Sequence, residues 1–302
     1  MTRNKKKVRE PEKKGKVIPL MSPKNKHLGM RSSPVKKEPS AGKGTTWWRS
    51  GGKTADRASF LPAKGSHTLF LVAFTGLMLL LFYPPYFRGL FFPVEQRWTL
   101  LLAIMLFTIT YLWKLTYREV SFLNCPLDFA AAALVLVYIL AAIKPASQGL
   151  AVAEVAKVLL YFLTYWLVSR LGGRSCNDYL LHTLYLAAAG TALAALLTAT
   201  GLVYIKDGFL GGRFYSTLQY PNALASYVGA GSIIGFYLWA RAYHKRPYLY
   251  TAANYLLLMV FLGTGSRGAY LFFPLFMVFF CLLAPRGYRI PVIAHSVFCT
   301  VA

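Results

Sequence analysis

Residues 204–228 read YIKDGFLGGRFYSTLQYPNALASYV. This polar, glycine-rich break separates two apolar runs, Tyr179–Tyr204 before it and Ala223–Ala240 after it. An α-helix needs about 20 apolar residues to cross the hydrocarbon core of a bilayer, and both runs come near that length. The break therefore reads as a connection between two membrane-crossing helices. A second break, GTGSRGAY at residues 263–270, is too short for anything but a tight turn between two more spans, Tyr248–Thr264 and Ala269–Ala284.

Outward from these breaks the pattern continues. Four earlier spans are predicted at Thr68–Tyr83, Trp98–Trp113, Leu127–Ile143 and Leu150–Val168. A ninth starts at Ile290 and reaches the last residue, Ala302, so it is expected to be cut short. The 302 residues are 56% hydrophobic and 16% aromatic, with a mean hydropathy of +0.44, more apolar than a soluble domain of this length needs. The sequence thus predicts an all-α polytopic membrane protein with about eight complete transmembrane helices plus a truncated ninth. Tyr83, Trp98 and Trp113 fit interfacial aromatic belts. Glu154 and Lys157 are near neighbours on one helical face and read as a salt bridge at interface level.

The net charge of +24 is unevenly spread. Residues 1–67 hold 18 Lys and Arg against 4 Asp and Glu, and the rest of the chain holds 16 against 6. The first segment has too little apolar surface to offset the entropy of ordering it, and it is too long and polar for a cleaved signal peptide. The organisation is therefore a disordered basic cytoplasmic tail over 1–67 and a transmembrane helical domain over 68–302. The tail suits anionic lipids on the inner face. No patch on a folded surface gathers the remaining charge, so no nucleic-acid partner is expected. Cys125, Cys176, Cys281 and Cys299 have neither metal-ligand nor redox spacing. No metal site and no cofactor are expected.

Cationic residues also set the orientation. With the tail inside, the inner loops carry Lys114, Arg118, Arg170, Arg174, Arg241, Lys245, Arg246, Arg286 and Arg289, against Arg88, Arg97, Lys144, Lys206, Arg213 and Arg267 outside. That bias agrees with the positive-inside rule, and it places Arg213 and Arg267 on one outer face. A guanidinium at a membrane boundary is costly to desolvate, so two of them beside glycine-rich turns point to an anion, a diphosphate or a carboxylate. Pro221 forces a new helix start, so Asn222 or a neighbour opens the sixth span with a helix N-terminus suited to an anion. Ser266 is placed to cap the eighth. The glycines of GTGSRG leave room for a ligand at the backbone. Alternatively, each arginine only snorkels to lipid headgroups.

Smaller signals read as packing. Gly231 and Gly235 make a small-xxx-small helix face. His182, His244 and His295 read as bystanders, His295 as a packed histidine rather than a base.

RFYSTLQYPNALASYV together with GTGSRGAY resembles the O-antigen ligase and O-antigen polymerase family of bacterial membrane proteins. In that family an arginine precedes a Pro-Asn helix start and a Ser-Arg-Gly element joins two later spans. The resemblance covers roughly residues 68–302. It implies transfer of a glycan from an undecaprenyl-diphosphate carrier to a glycan, lipid or protein acceptor on the outer face of the bacterial cytoplasmic membrane. It also implies that Arg213 and Arg267 hold the carrier's diphosphate, supported by Asn222 and Ser266. The family's base is a histidine in an outer loop beyond the ninth span, so no catalytic residue is identified within 1–302 and the core is expected to be incomplete. A carrier or flippase of an anionic lipid-linked glycan is the alternative from a different class. It calls for charges buried in mid-span, which only Glu154 and Lys157 supply. An inactive truncated remnant is a third reading.

Overall fold

The computed structural model describes residues 64–117, 121–242 and 247–301, all within one compact unit, Ser59–Ala302. The basic tail lies outside the described residues except for its last four positions, which open the first helix. Arg118, Lys245 and Arg246 of the orientation count also lie outside them.

Among the described residues the chain is all-α apart from one two-residue hairpin. The helices are α1 (Lys64–Phe82), α2 (Pro93–Thr116), α3 (Pro126–Ala141), α4 (Gln148–Leu171), α5 (Arg174–Ala199), α6 (Pro221–Ala242), α7 (Pro247–Gly263), α8 (Arg267–Leu283) and α9 (Arg286–Val301). The strands β1 (Phe209–Leu210) and β2 (Arg213–Phe214) pair antiparallel, Phe209 opposite Phe214 and Leu210 opposite Arg213. Each predicted span falls on one of these helices. Pro93, Pro126 and Pro221 each open a helix, where the missing N–H costs nothing and the fixed φ is already helical.

Five helical segments are long and apolar enough to cross a membrane: His67–Tyr86, Pro93–Thr116, Gln148–Leu171, Cys176–Ala199 and Pro221–Arg241. The first runs past α1 into the short turn Pro84–Tyr86. The expected eight or nine spans exceed that number because α3, α7, α8 and α9 have 16 or 17 residues each. At 1.5 Å per residue they reach about 24–26 Å, short of a hydrocarbon core of about 30 Å.

Consecutive helices meet end to start, which gives the helical body two distinct ends. At one end the hydroxyl of Tyr83, just past α1, bonds Thr99 near the start of α2, and Leu218 packs where a Cβ on Gly89 would lie. At the other end Phe70 meets Trp113 with ring centroids 5.2 Å apart. There Arg241 at the end of α6 grips Asp178 at the start of α5. We call these the Arg213 end and the Asp128 end.

The interior is assembled from three apolar clusters. Trp166, Leu167, Leu77 and Leu106 join α1, α2 and α4. Leu224, Val228, Leu257 and Val260 join α6 and α7 over the alanines of α5. Phe236, Leu258 and Val292 bring in α9. Small residues make the α5–α6–α7 contact close: a Cβ on Gly231 would lie 2.5 Å from that of Ala188, and one on Gly235 would lie 1.9 Å from Asn254 Oδ1. His295 is buried there, stacked on Trp239 at 3.9 Å. Outward-facing positions are apolar as well, Leu271, Phe276 and Leu282 of α8 among them. That distribution suits a lipid surround rather than water.

The Asp128 end is tied by a buried carboxylate. Asp128 is fully buried; its Oδ2 accepts from the N–H of Asn124 at 2.7 Å and from Arg170 Nη2 at 2.6 Å, and its Oδ1 accepts from Tyr165 at 2.7 Å. This pins the start of α3 to the last turn of α4.

Candidate anion site at the Arg213 end

The loop from Thr200 to Tyr220 is shaped by residues able to turn back sharply. Gly211 and Gly212 adopt φ of +56° and +73°, the left-handed region that glycine enters without steric cost, and they close the hairpin between β1 and β2. Below it, Gly208 O accepts from the N–H groups of Tyr215 and Ser216. Ser216 is buried and donates its hydroxyl to Thr191 O on α5 at 2.8 Å, while Gln219 Nε2 donates to Lys206 O at 3.0 Å. The loop is thus tied to α5 and closed on itself.

That fixed loop aims Arg213 at the turn between α7 and α8. Arg213 Nε donates to Thr264 O at 2.8 Å and Nη2 donates to Gly265 O at 3.1 Å. The ring of Phe214 lies where Gly263 has no side chain: an added Cβ would meet it at 2.2 Å. Gly265 has φ +63°, and a Cβ there would come 2.9 Å from Arg213 Nε. The two sequence motifs, half a hundred positions apart, therefore meet at one place. The glycines expected to admit a ligand instead admit Arg213 and Phe214 of the same chain.

Ser266 is the N-cap of α8 and is buried; its hydroxyl accepts from the N–H of Ala269 at 3.4 Å. Arg267 is the first residue of α8 and is exposed. Asn222 is the second residue of α6, and its side-chain amide donates to the hydroxyl of Tyr220 at 3.1 Å. The structure thus gathers Arg213, Ser266 and Arg267 around one turn, whereas Asn222 is directed at its own neighbour Tyr220.

Charge distinguishes the two ends. The ion pairs among the described residues are Lys157–Glu154, Arg170–Asp128 and Arg241–Asp178. At the Asp128 end two arginines thus face carboxylates. Arg213 faces two neutral carbonyls, and among the described residues neither it nor Arg267 forms an ion pair with a carboxylate. A guanidinium has five N–H donors in a planar fork, so Arg213 keeps N–H groups beyond the two its carbonyl partners use. Such a pair of cations suits an oxyanion with several acceptor oxygens.

Backbone strain collects at the same end. Every described non-glycine residue with a left-handed backbone, Arg88, Leu90, Asp207, Ser216 and Gln219, lies in the 83–92 or the 200–220 loop. Such conformations cost about 1–3 kcal/mol each and tend to mark functional sites.

Sequence reasoning missed Thr264 as the acceptor for Arg213, and it missed Tyr270, whose hydroxyl accepts from Gly265 N–H at 3.0 Å. The available signal was the run of turn residues before Arg267, which predicts a tight turn but not what holds it. No protein-family model, curated protein or solved structure matches this chain.

Proposed function

We infer that this protein is a membrane glycosyltransferase of the O-antigen ligase or polymerase type. It transfers a glycan from an undecaprenyl-diphosphate carrier to a glycan, lipid or protein acceptor at the outer face of a bacterial cytoplasmic membrane. The observation that carries this reading is the meeting of Arg213 with the turn that bears Arg267, neither arginine forming an ion pair with a carboxylate among the described residues. As the glycan leaves, negative charge develops on the carrier's diphosphate, and fixed cations stabilise it. Arg213 and Arg267 take that part; Ser266 fixes the helix start on which Arg267 stands, and Asn222 lines the neighbouring start of α6.

In this reading the protein is multi-pass with its N-terminus cytoplasmic, the Arg213 end faces outward, and the basic tail meets anionic lipids. The shorter helices α3, α7 and α8 complete the crossing where the bilayer thins or their polar flanks snorkel. The reading is tested with the protein reconstituted in lipid nanodiscs and titrated with undecaprenyl diphosphate. Binding that Arg267→Ala weakens about tenfold or more supports it. Equal binding by wild type and Arg267→Ala, or none by wild type, rejects it.

A further inference from the structure

We propose that Tyr270 is a positioning residue for the anion site, bracing from within α8 the turn that Arg213 grips from the 200–220 loop. The proposal rests on the anion reading of Arg213 and Arg267.

Tyr270 stands three residues after Arg267, close to one turn of α8 further on, so the two share a helix face. Its hydroxyl accepts the N–H of Gly265 at 3.0 Å and donates to the carbonyl of Leu262. Arg213 meanwhile takes the carbonyl of Gly265 at 3.1 Å and that of Thr264 at 2.8 Å. Both polar groups of Gly265 are therefore engaged, its N–H by the Tyr270 hydroxyl at 3.0 Å together with the carbonyl of Leu262 at 3.3 Å, and its C=O by Arg213. The left-handed φ of +63° and the missing Cβ make this double grip sterically possible.

The ring of Tyr270 packs edge-on against Phe261 at 5.6 Å, a contact that phenylalanine would preserve. The hydroxyl is thus the part of the side chain that addresses the turn. Arg267 lies two residues beyond Gly265, so freedom in the Gly265 peptide becomes freedom in where its guanidinium points. Recognition of an oxyanion by a planar fork depends on that direction, and small displacements at such sites are expensive.

The test compares wild type, Tyr270→Phe, Arg267→Ala and the distant control Tyr288→Phe, each purified in nanodiscs. Each is titrated with inorganic pyrophosphate and with farnesyl diphosphate, and its thermal midpoint is recorded. Tyr270→Phe is expected to bind both probes about tenfold more weakly, the factor that accompanies loss of one positioning hydrogen bond. Its midpoint should fall by no more than about 2–4 °C, the modest cost of the lost hydroxyl bonds, and Tyr288→Phe should bind as wild type does. Faster exchange of the Gly265 amide in Tyr270→Phe would accompany the loss.

Wild-type affinity in Tyr270→Phe, with binding lost in Arg267→Ala, overturns the positioning role and leaves the anion reading standing. A Tyr270→Phe variant that unfolds and is not restored by farnesyl diphosphate makes Tyr270 a structural residue and also overturns the proposal. Should Arg267→Ala bind as wild type does, or wild type not bind at all, the anion reading itself falls and the proposal with it.

Discussion

Arg213 donates its Nε–H to the main-chain oxygen of Thr264 at 2.8 Å, across a sequence separation of 51 residues. With the second bond to Gly265 O, one side chain joins the 200–220 loop to the α7–α8 turn. Lysine has a single point charge on a flexible stem and cannot reproduce a planar two-pronged contact. Arg213→Lys should therefore lower the thermal midpoint in detergent, by the equivalent of about 1–2 kcal/mol for the weakened bonds. Arg213→Ala should lower it further. A midpoint unchanged in both variants would show that the bridge does not hold the turn.

Gly263 offers a sharper steric test. A Cβ there would meet the Phe214 ring at 2.2 Å, closer than side-chain packing permits. Gly263→Ala alone should destabilise the protein by about 1–3 kcal/mol, the usual cost of overpacking. Adding Phe214→Ala should recover part of that loss, because residues in contact are not additive. Purely additive effects in thermal unfolding would mean that the two side chains do not meet.

Asp128 predicts a larger effect. Its carboxylate is buried with Arg170 and Tyr165, and removing one partner of a buried pair costs about 3–5 kcal/mol because the other charge stays uncompensated. Asp128→Asn should thus be strongly destabilised in denaturant titration. Asp128→Leu combined with Arg170→Met should recover much of the loss, whereas a wild-type midpoint in Asp128→Asn would remove the latch at this end.

Sidedness is open to chemical labelling. Lys206 and Gly268 are both exposed at the Arg213 end, and Cys125 is exposed at the Asp128 end. In variants carrying Lys206→Cys or Gly268→Cys, a membrane-impermeant maleimide added to intact cells should modify the new cysteine. Cys125 should react only after permeabilisation. Labelling of positions 206 and 268 from opposite sides would separate Arg213 from Arg267.

The length of the apolar runs made the helical body legible. Apolar runs placed a helix at each of α1 through α9, with ends off by up to five residues at α2 and α5, and Pro221 and Ser266 marked two helix starts correctly. Helix length was less legible: α3, α7, α8 and α9 read as spans because apolar composition does not report where the last backbone turn closes. The meeting of Arg213 with the 263–270 motif was foreshadowed by placing both on one face. The bonds that join them were hidden, because Thr264 and Gly265 act through main-chain oxygens that every residue possesses. Asp128 and Asp178 were hidden for a related reason. Their partners Arg170 and Arg241 are 42 and 63 residues away, and only the packed helices bring them together.

The most direct measurement is the equilibrium affinity of the nanodisc-embedded protein for undecaprenyl diphosphate, compared between wild type and Arg267→Ala. Arg267 is exposed and makes no ion pair with a carboxylate among the described residues, so its removal should leave the thermal midpoint unchanged. Affinity should fall about tenfold or more, as expected for loss of a hydrogen-bonded charge. Equal affinity in the two proteins would contradict the assignment of this turn as the diphosphate site.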